Sequence, residues 1–209
     1  MHIVLLGDSI FDNAVYINGG VDVRGQVQKR LNQGERAMLL AVDGNVIKDV
    51  SRQLGKLPKD ATHLFLSIGG NDLLQLMNVL SQPASSVAEV LGLLGGLSET
   101  FERDYHQMLD GVLTCKLPMT LCTIYYPRFP DEGLQRIAIT ALTVFNDAIM
   151  RAAFRAGLPL IDLRLVCADD EDYANPIEPS EGGGAKIAER IVKVAREHDF
   201  EQGRTEVYV

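Results

Sequence analysis

Four short sequences sit where apolar runs of this chain stop: Gly7-Asp8-Ser9, Asp43-Gly44-Asn45, Gly69-Gly70-Asn71-Asp72 and Tyr126-Pro127. A serine on a sharp turn after a strand can attack an acyl carbon if a neighbouring group takes its proton. The same turn can offer the Ser9 N–H to the oxyanion that forms. Gly44 brings a backbone N–H with no side chain in the way, and Asn71 brings a side-chain amide. Gly69 and Gly70 permit the tight turn that would place that amide. Three such donors beside a serine make an oxyanion hole, and losing one typically costs about 10²–10³ in rate. Each sequence has a plainer reading too. Gly-Asp-Ser after a strand is common turn chemistry, Asp8 serves equally as a cap or turn residue, and Asp72 as an N-cap. The chemical reading gains from their order, each at a strand end. A phosphate loop is excluded, because neither G-x-x-x-x-G-K nor G-x-G-x-x-G occurs.

The elements that must position these residues are legible as alternating patterns. Apolar runs at 2–7, 37–42, 63–68, 118–126 and 158–163 are nearly continuous, as in parallel strands buried on both faces. Between them, 23–31, 136–157 and 181–198 have helical periodicity, with Ser180 a candidate N-cap and Gly157 a stop. The alternation predicts a doubly wound α/β sandwich in a single domain, 1–209, with ligands outside the carboxyl ends of the strands. Residues 78–100 read as a helix broken by a loop, and the polar tail after His198 carries little signal. The apolar-rich stretch 87–97 reads either as a cover over the pocket that favours an apolar acyl group or, by preference, as ordinary core packing.

Composition narrows the function classes. The net charge of −8 (20 Lys+Arg against 28 Asp+Glu) repels phosphate backbones and argues against nucleic-acid binding. Cys115, Cys122 and Cys167 are odd in number and lack metal-site spacing, which favours reduced thiols in a cytoplasmic protein and no metal. The first strand begins at the second residue, leaving no room for a signal peptide, and 87–97 is too short to span a bilayer.

The run GDSI at 7–10, Gly44 after the second strand and GGND at 69–72 resemble the first three blocks of the GDSL, or SGNH, hydrolases. The resemblance implies a flavodoxin-like three-layer α/β/α fold on a five-stranded parallel sheet. It also implies a lipase, esterase or acyl-hydrolase activity with no metal or cofactor. Carried over by position, it makes Ser9 the nucleophile and Gly44 and Asn71 oxyanion donors. The fourth block departs from the family. Where the family usually closes with Asp-x-x-His-Pro-Ser, this chain has Asn175-Pro176-Ile177-Glu178-Pro179-Ser180. The other histidines are poor substitutes: His2 and His63 start strands, His106 is in a helix, and His198 lies about 30 Å along the last helix. Glu178 is then the best remaining base. Its ordinary pKa of about 4.3 is well below the roughly 6.5 of histidine, and burial beside Ile177 would raise it. The plainer reading is a solvated carboxylate near a helix N-terminus. Asp8, Asp12, Asp72, Asp172 and Asn175 are candidates for supporting positions. The expected function is hydrolysis of a small-molecule ester or acylated substrate. The alternative is a non-catalytic binding protein for acylated or carbohydrate ligands.

Overall fold

A computed structural model describes residues 1–209. Strands β1 (His2–Gly7), β2 (Arg36–Leu39), β3 (His63–Ser67), β4 (Met119–Cys122) and β5 (Leu160–Ile161) coincide with the five apolar runs. Two more, β6 (Tyr173–Asn175) and β7 (Glu178–Pro179), form a separate antiparallel hairpin, and β8 (Val207–Tyr208) lies near the end of the chain. The main sheet is parallel throughout, in the order β2-β1-β3-β4-β5-β8. It therefore has six strands rather than the expected five. The sixth comes from the tail, where Leu160 and Asp162 N–H donate to Glu206 and Tyr208 carbonyls at 2.9 Å. Two residues on a sheet edge need no apolar run to pair, so composition gave no sign of it.

The helices are α1 (Val23–Arg30), α2 (Val50–Leu54), α3 (Gly70–Leu74), α4 (Val87–Leu113), α5 (Glu132–Ala156), α6 (Leu163–Val166) and α7 (Glu181–Glu197). Successive β1 residues point to opposite faces of the sheet. Val4 and Leu6 join Leu64, Leu66 and Leu121 under Phe101, Tyr105, Phe145 and Ile149 of α4 and α5. Ile3 and Leu5 join Phe65 and Ile161 under Val23, Val27, Ile187 and Ile191 of α1 and α7. Both faces are covered, which is why the strand sequences run apolar without alternation.

Residues 78–100 differ from the expected broken helix. A 3₁₀ turn spans Met77–Ser81, Ser86 caps α4 by accepting from Glu89 N–H, and α4 then continues through Gly92, Gly95 and Gly96. Helix α5 is long and apolar enough to cross a membrane by length and composition, which sequence reading had considered only for 87–97. Its face bearing Phe145, Ala148, Ile149 and Ala152 is part of the core. Ser180 caps α7 as expected, accepting from Gly183 N–H at 3.1 Å.

Candidate active site

The turn after β1 is fixed by glycine geometry and by a glutamine far along the chain. Gly7 has φ +129°, and a Cβ there would stand 1.8 Å from the Ser67 carbonyl oxygen, so no other residue fits. Gln53 of α2, buried, grips the same peptide from both sides. Its Oε1 accepts from Gly7 N–H at 2.8 Å, and its Nε2 donates to Gly7 O at 2.7 Å and to Asn45 Oδ1 at 2.9 Å. Beyond it, Asp8 N–H bonds to Ser67 O, Ile10 N–H to Asp8 Oδ1, and Phe11 and Asp12 N–H to Asp8 O, all at 3.2 Å. Among residues 8 to 12, only the Ser9 N–H has no partner.

The other two expected donors are also left with capacity. Gly44 has φ +77°, and its N–H makes no hydrogen bond, whereas Asp43 N–H is held by Asp12 Oδ2 at 3.0 Å. Asn71, in the first turn of α3, donates through Nδ2 to Asn45 O at 3.0 Å, which leaves its second amide hydrogen free. Ser9 and Asn71 both line the large cavity described below, and Gly44 lies outside that lining. Asp72 does not cap α3. Gly69 occupies that position, and the Asp72 carboxylate accepts from Ile47 N–H at 3.1 and 3.3 Å, tying α3 to the segment after β2. Burial raises Asp72 to about 6.

Glu178 stands beside Ser9, only 5% exposed, so it is not the solvated carboxylate of the plainer reading. Burial pushes it up to about 7; the nearby Ser9 hydroxyl opposes the rise, and the Asp43 charge adds to it. Its Oε2 is buried without a hydrogen-bond partner. Asp8 is also buried and is raised by that burial to about 8, with the Ile10 N–H opposing the rise and Glu178, Asp72 and Asp43 adding to it. It therefore keeps its proton at neutral pH.

The hairpin that carries Glu178 is seated by groups other than the glutamate. Tyr125 OH donates to Ile177 O at 2.6 Å, Tyr173 OH to Tyr126 O at 2.7 Å, and Arg128 N–H to Pro176 O at 2.7 Å. Asn13, fully buried, donates to Pro179 O at 3.1 Å and accepts from Val23 N–H at 3.0 Å. Asn175 pairs with Glu178 across the ladder, but its Oδ1 accepts from Ile177 N–H at 2.9 Å and shapes the turn. Asp172 is engaged elsewhere, accepting from Asp169 N–H at 3.0 Å and paired with Lys186 at 2.8 Å. Asp12 supports the Asp43–Gly44 loop rather than Ser9.

None of the four histidines lines the cavity. His2 bonds Arg36, His63 meets Phe200 edge-on, His106 lies within α4, and His198 contacts Glu206 and Tyr208. No three His, Cys, Asp or Glu side chains are grouped to hold a metal ion. Gln53, Asn13 and Tyr125 escaped sequence reading. Their partners are 46, 166 and 52 residues away, and isolated polar residues give no local signal.

A cavity of about 910 Å³ opens from Ser9, Asp8, Asn71 and Glu178 and is otherwise walled mainly by apolar side chains. Val90, Leu91, Leu93, Leu94 and Leu97 of α4 line it, facing Ile137, Ala141 and Phe145 of α5. The stretch 87–97 thus forms a pocket wall, contrary to the preferred core-packing reading. Most of its residues remain exposed because they face the opening.

Residues 5–186 match the model of the GDSL-like lipase/acylhydrolase family. Among curated proteins none matches the sequence. Solved structures with the same fold include a member of the lipolytic G-D-S-L family from Veillonella parvula, 15% identical with TM-score 0.69, covering 95% of this chain and 100% of that one. An extracellular lipase from Streptomyces rimosus is 16% identical with TM-score 0.61, covering 89% and 95%. A psychrotrophic esterase from Pseudoalteromonas sp., inhibited there by monoethylphosphonate, is 13% identical with TM-score 0.65, covering 94% and 97%. With the matched span running from Leu5 in β1 to Lys186 in α7, and so including both the Ser9 turn and the Glu178 hairpin, the chain belongs to the GDSL-like lipase/acylhydrolase family.

Proposed function

We propose that the protein is a serine esterase in which Glu178 takes the place of the usual histidine base. The observation that carries this reading is the buried Glu178 carboxyl group, which lines the same cavity as Ser9 and has its pKa raised by burial to about 7. A carboxylate with an ordinary pKa is a weak acceptor for a hydroxyl proton, and raising it toward neutrality increases the driving force. In the forward step Ser9 Oγ attacks the ester carbonyl carbon while Glu178 accepts its proton. The oxyanion of the tetrahedral intermediate is held by the free N–H groups of Ser9 and Gly44 and by Asn71 Nδ2. Collapse breaks the acyl–oxygen bond, and Glu178 returns its proton to the departing alcohol. Water then attacks the acyl-serine with Glu178 again as base, releasing the acid and restoring Ser9.

The test is hydrolysis of p-nitrophenyl acetate by wild type, Ser9→Ala and Glu178→Gln between pH 5 and 9. Ser9→Ala removes the activity, and Glu178→Gln lowers kcat by about 10²–10⁴, the usual contribution of a general base. Equal, slow rates in wild type and Ser9→Ala would reduce the site to a binding pocket without the reaction.

A further inference from the structure

The cavity beside Ser9 is far larger than a short acyl group needs, and most of its wall is apolar. We infer that the substrates are esters of long acyl chains with an uncharged alcohol, the chain lying between the α4 segment Val90–Leu97 and the α5 segment Ile137–Phe145. The inference rests on the esterase reading for where the ester carbon sits. The apolar groove supplies the rest.

At about 910 Å³ the volume lies near the top of the roughly 300–1,000 Å³ range of small-molecule sites. Wall residues carry unusual exposure for their type: Leu91 61%, Val90 49%, Ile137 49%, Leu80 45% and Leu93 42%. Apolar surface grouped this way marks a ligand groove or a contact site. It is continuous with the candidate reaction centre, so a chain attached to the reacting carbon covers it without further search. Each methylene laid against such a wall improves kcat/KM by about fourfold until the groove is filled.

The charged lining residues set the other half of the specificity. Asp8, Glu89 and Glu178 are the acidic lining residues, and Arg136 is the one basic side chain in the wall. Asp43 precedes Gly44 and is bound to Tyr16 OH at 2.8 Å, and its N–H donates to Asp12 of the turn after β1. An anionic headgroup at Ser9 would meet the Glu178 carboxylate and the nearby Asp43, with Arg136 the one basic residue in the whole lining, so phosphate-bearing acyl donors are disfavoured and a glycerol-like alcohol is accommodated.

Two measurements test this. The first is kcat/KM for p-nitrophenyl acetate, butyrate, octanoate and dodecanoate with wild type, Ala141→Phe and Leu94→Asp. Wild type is expected to climb with chain length. Ala141→Phe, which fills the groove, and Leu94→Asp, which makes its wall polar, are each expected to lower the dodecanoate-to-acetate ratio at least tenfold. A wild-type profile that is flat or falls beyond acetate overturns the inference, and so do unchanged ratios in both variants.

The second is calorimetric titration of Ser9→Ala, which cannot turn over, with monolauroylglycerol, lauroyl-coenzyme A and monoacetylglycerol. Binding of monolauroylglycerol at least tenfold tighter than either of the others supports the inference. Equal or tighter binding of the coenzyme A ester refutes the headgroup half, and equal binding of monoacetylglycerol refutes the chain half. Tight monolauroylglycerol binding with no Ser9-dependent hydrolysis by wild type would overturn the esterase reading and leave the acyl groove standing. Ser9-dependent acetate hydrolysis without monolauroylglycerol binding would do the reverse.

Discussion

The sharpest consequence of the Glu178 environment is the pH profile of turnover. A general base works only when deprotonated, and Glu178, the proposed base, is raised by burial to about 7. At pH 6 about one molecule in eleven then carries the active form, and at pH 5 about one in a hundred. The expected profile of kcat/KM for p-nitrophenyl acetate falls tenfold per pH unit below 7 and levels above it. An unburied glutamate near its ordinary value would leave the rate flat down to about pH 5. The assay is initial rate at substrate well below KM, in buffers of constant ionic strength, for wild type and Glu178→Gln. Glutamine keeps the shape but cannot take the proton, so its residual rate, sustained by the oxyanion donors, should lose the inflection near 7. An inflection near 4.5 in wild type would refute the reasoning, as would one near 7 that survives in Glu178→Gln. The same burial has a cost in the fold. The native state holds a proton on Glu178 more tightly than the unfolded chain does, so stability falls as pH rises through the window from about 4.5 to about 7.

Other substitutions probe the frame around this pair. Asp8 has its folded pKa raised from 3.8 to about 8, so each pH unit across that window costs about 1.4 kcal/mol of stability as pH rises. Asp8→Asn keeps an acceptor for Ile10 N–H, and urea denaturation should show it more stable than wild type at pH 8 but not at pH 4. Gln53→Leu orphans the buried Gly7 N–H and should cost about 1–3 kcal/mol of unfolding free energy, with a fall in kcat as the Ser9 turn loosens. Gly7→Ala drives a methyl into the Ser67 carbonyl, and thermal denaturation should find it unfolded or severely destabilised. Asn71→Ala should lower kcat by about 10²–10³ with a smaller effect on KM, as the oxyanion role proposed for its free amide hydrogen requires.

How far the sequence anticipates this molecule depends on whether a feature leaves a local pattern. Strands buried on both faces must be apolar throughout, so β1 to β5 were readable as runs, and the strand-end rule brought Ser9 and Asn71 to one side of the sheet. Leu91 and Leu94 look the same in sequence whether they face a core or a cavity, which is why 87–97 was assigned to packing. Polar positions with distant partners were silent. Gln53 reads as one more helix residue until its two bonds to Gly7 appear. Asp8 read as a turn residue, and its Ile10 contact agrees, but its burial among other carboxyl groups depends on chain crossings that no short pattern encodes.

The hairpin β6–β7 is a detachable part in an evolutionary sense. Ser9 and Gly44 stand on turns and Asn71 in the first turn of α3, all following strands of the six-stranded sheet, while Glu178 rides on a two-stranded unit held by Tyr125, Tyr173 and Asn13. Each of those three bonds ends on a backbone carbonyl and none touches the residue 178 side chain. A substitution at position 178 therefore leaves the hairpin seated and Ser9, Gly44 and Asn71 untouched. Such an architecture lets lineages exchange the side chain beside Ser9 by point substitution, with the scaffold indifferent to which is installed.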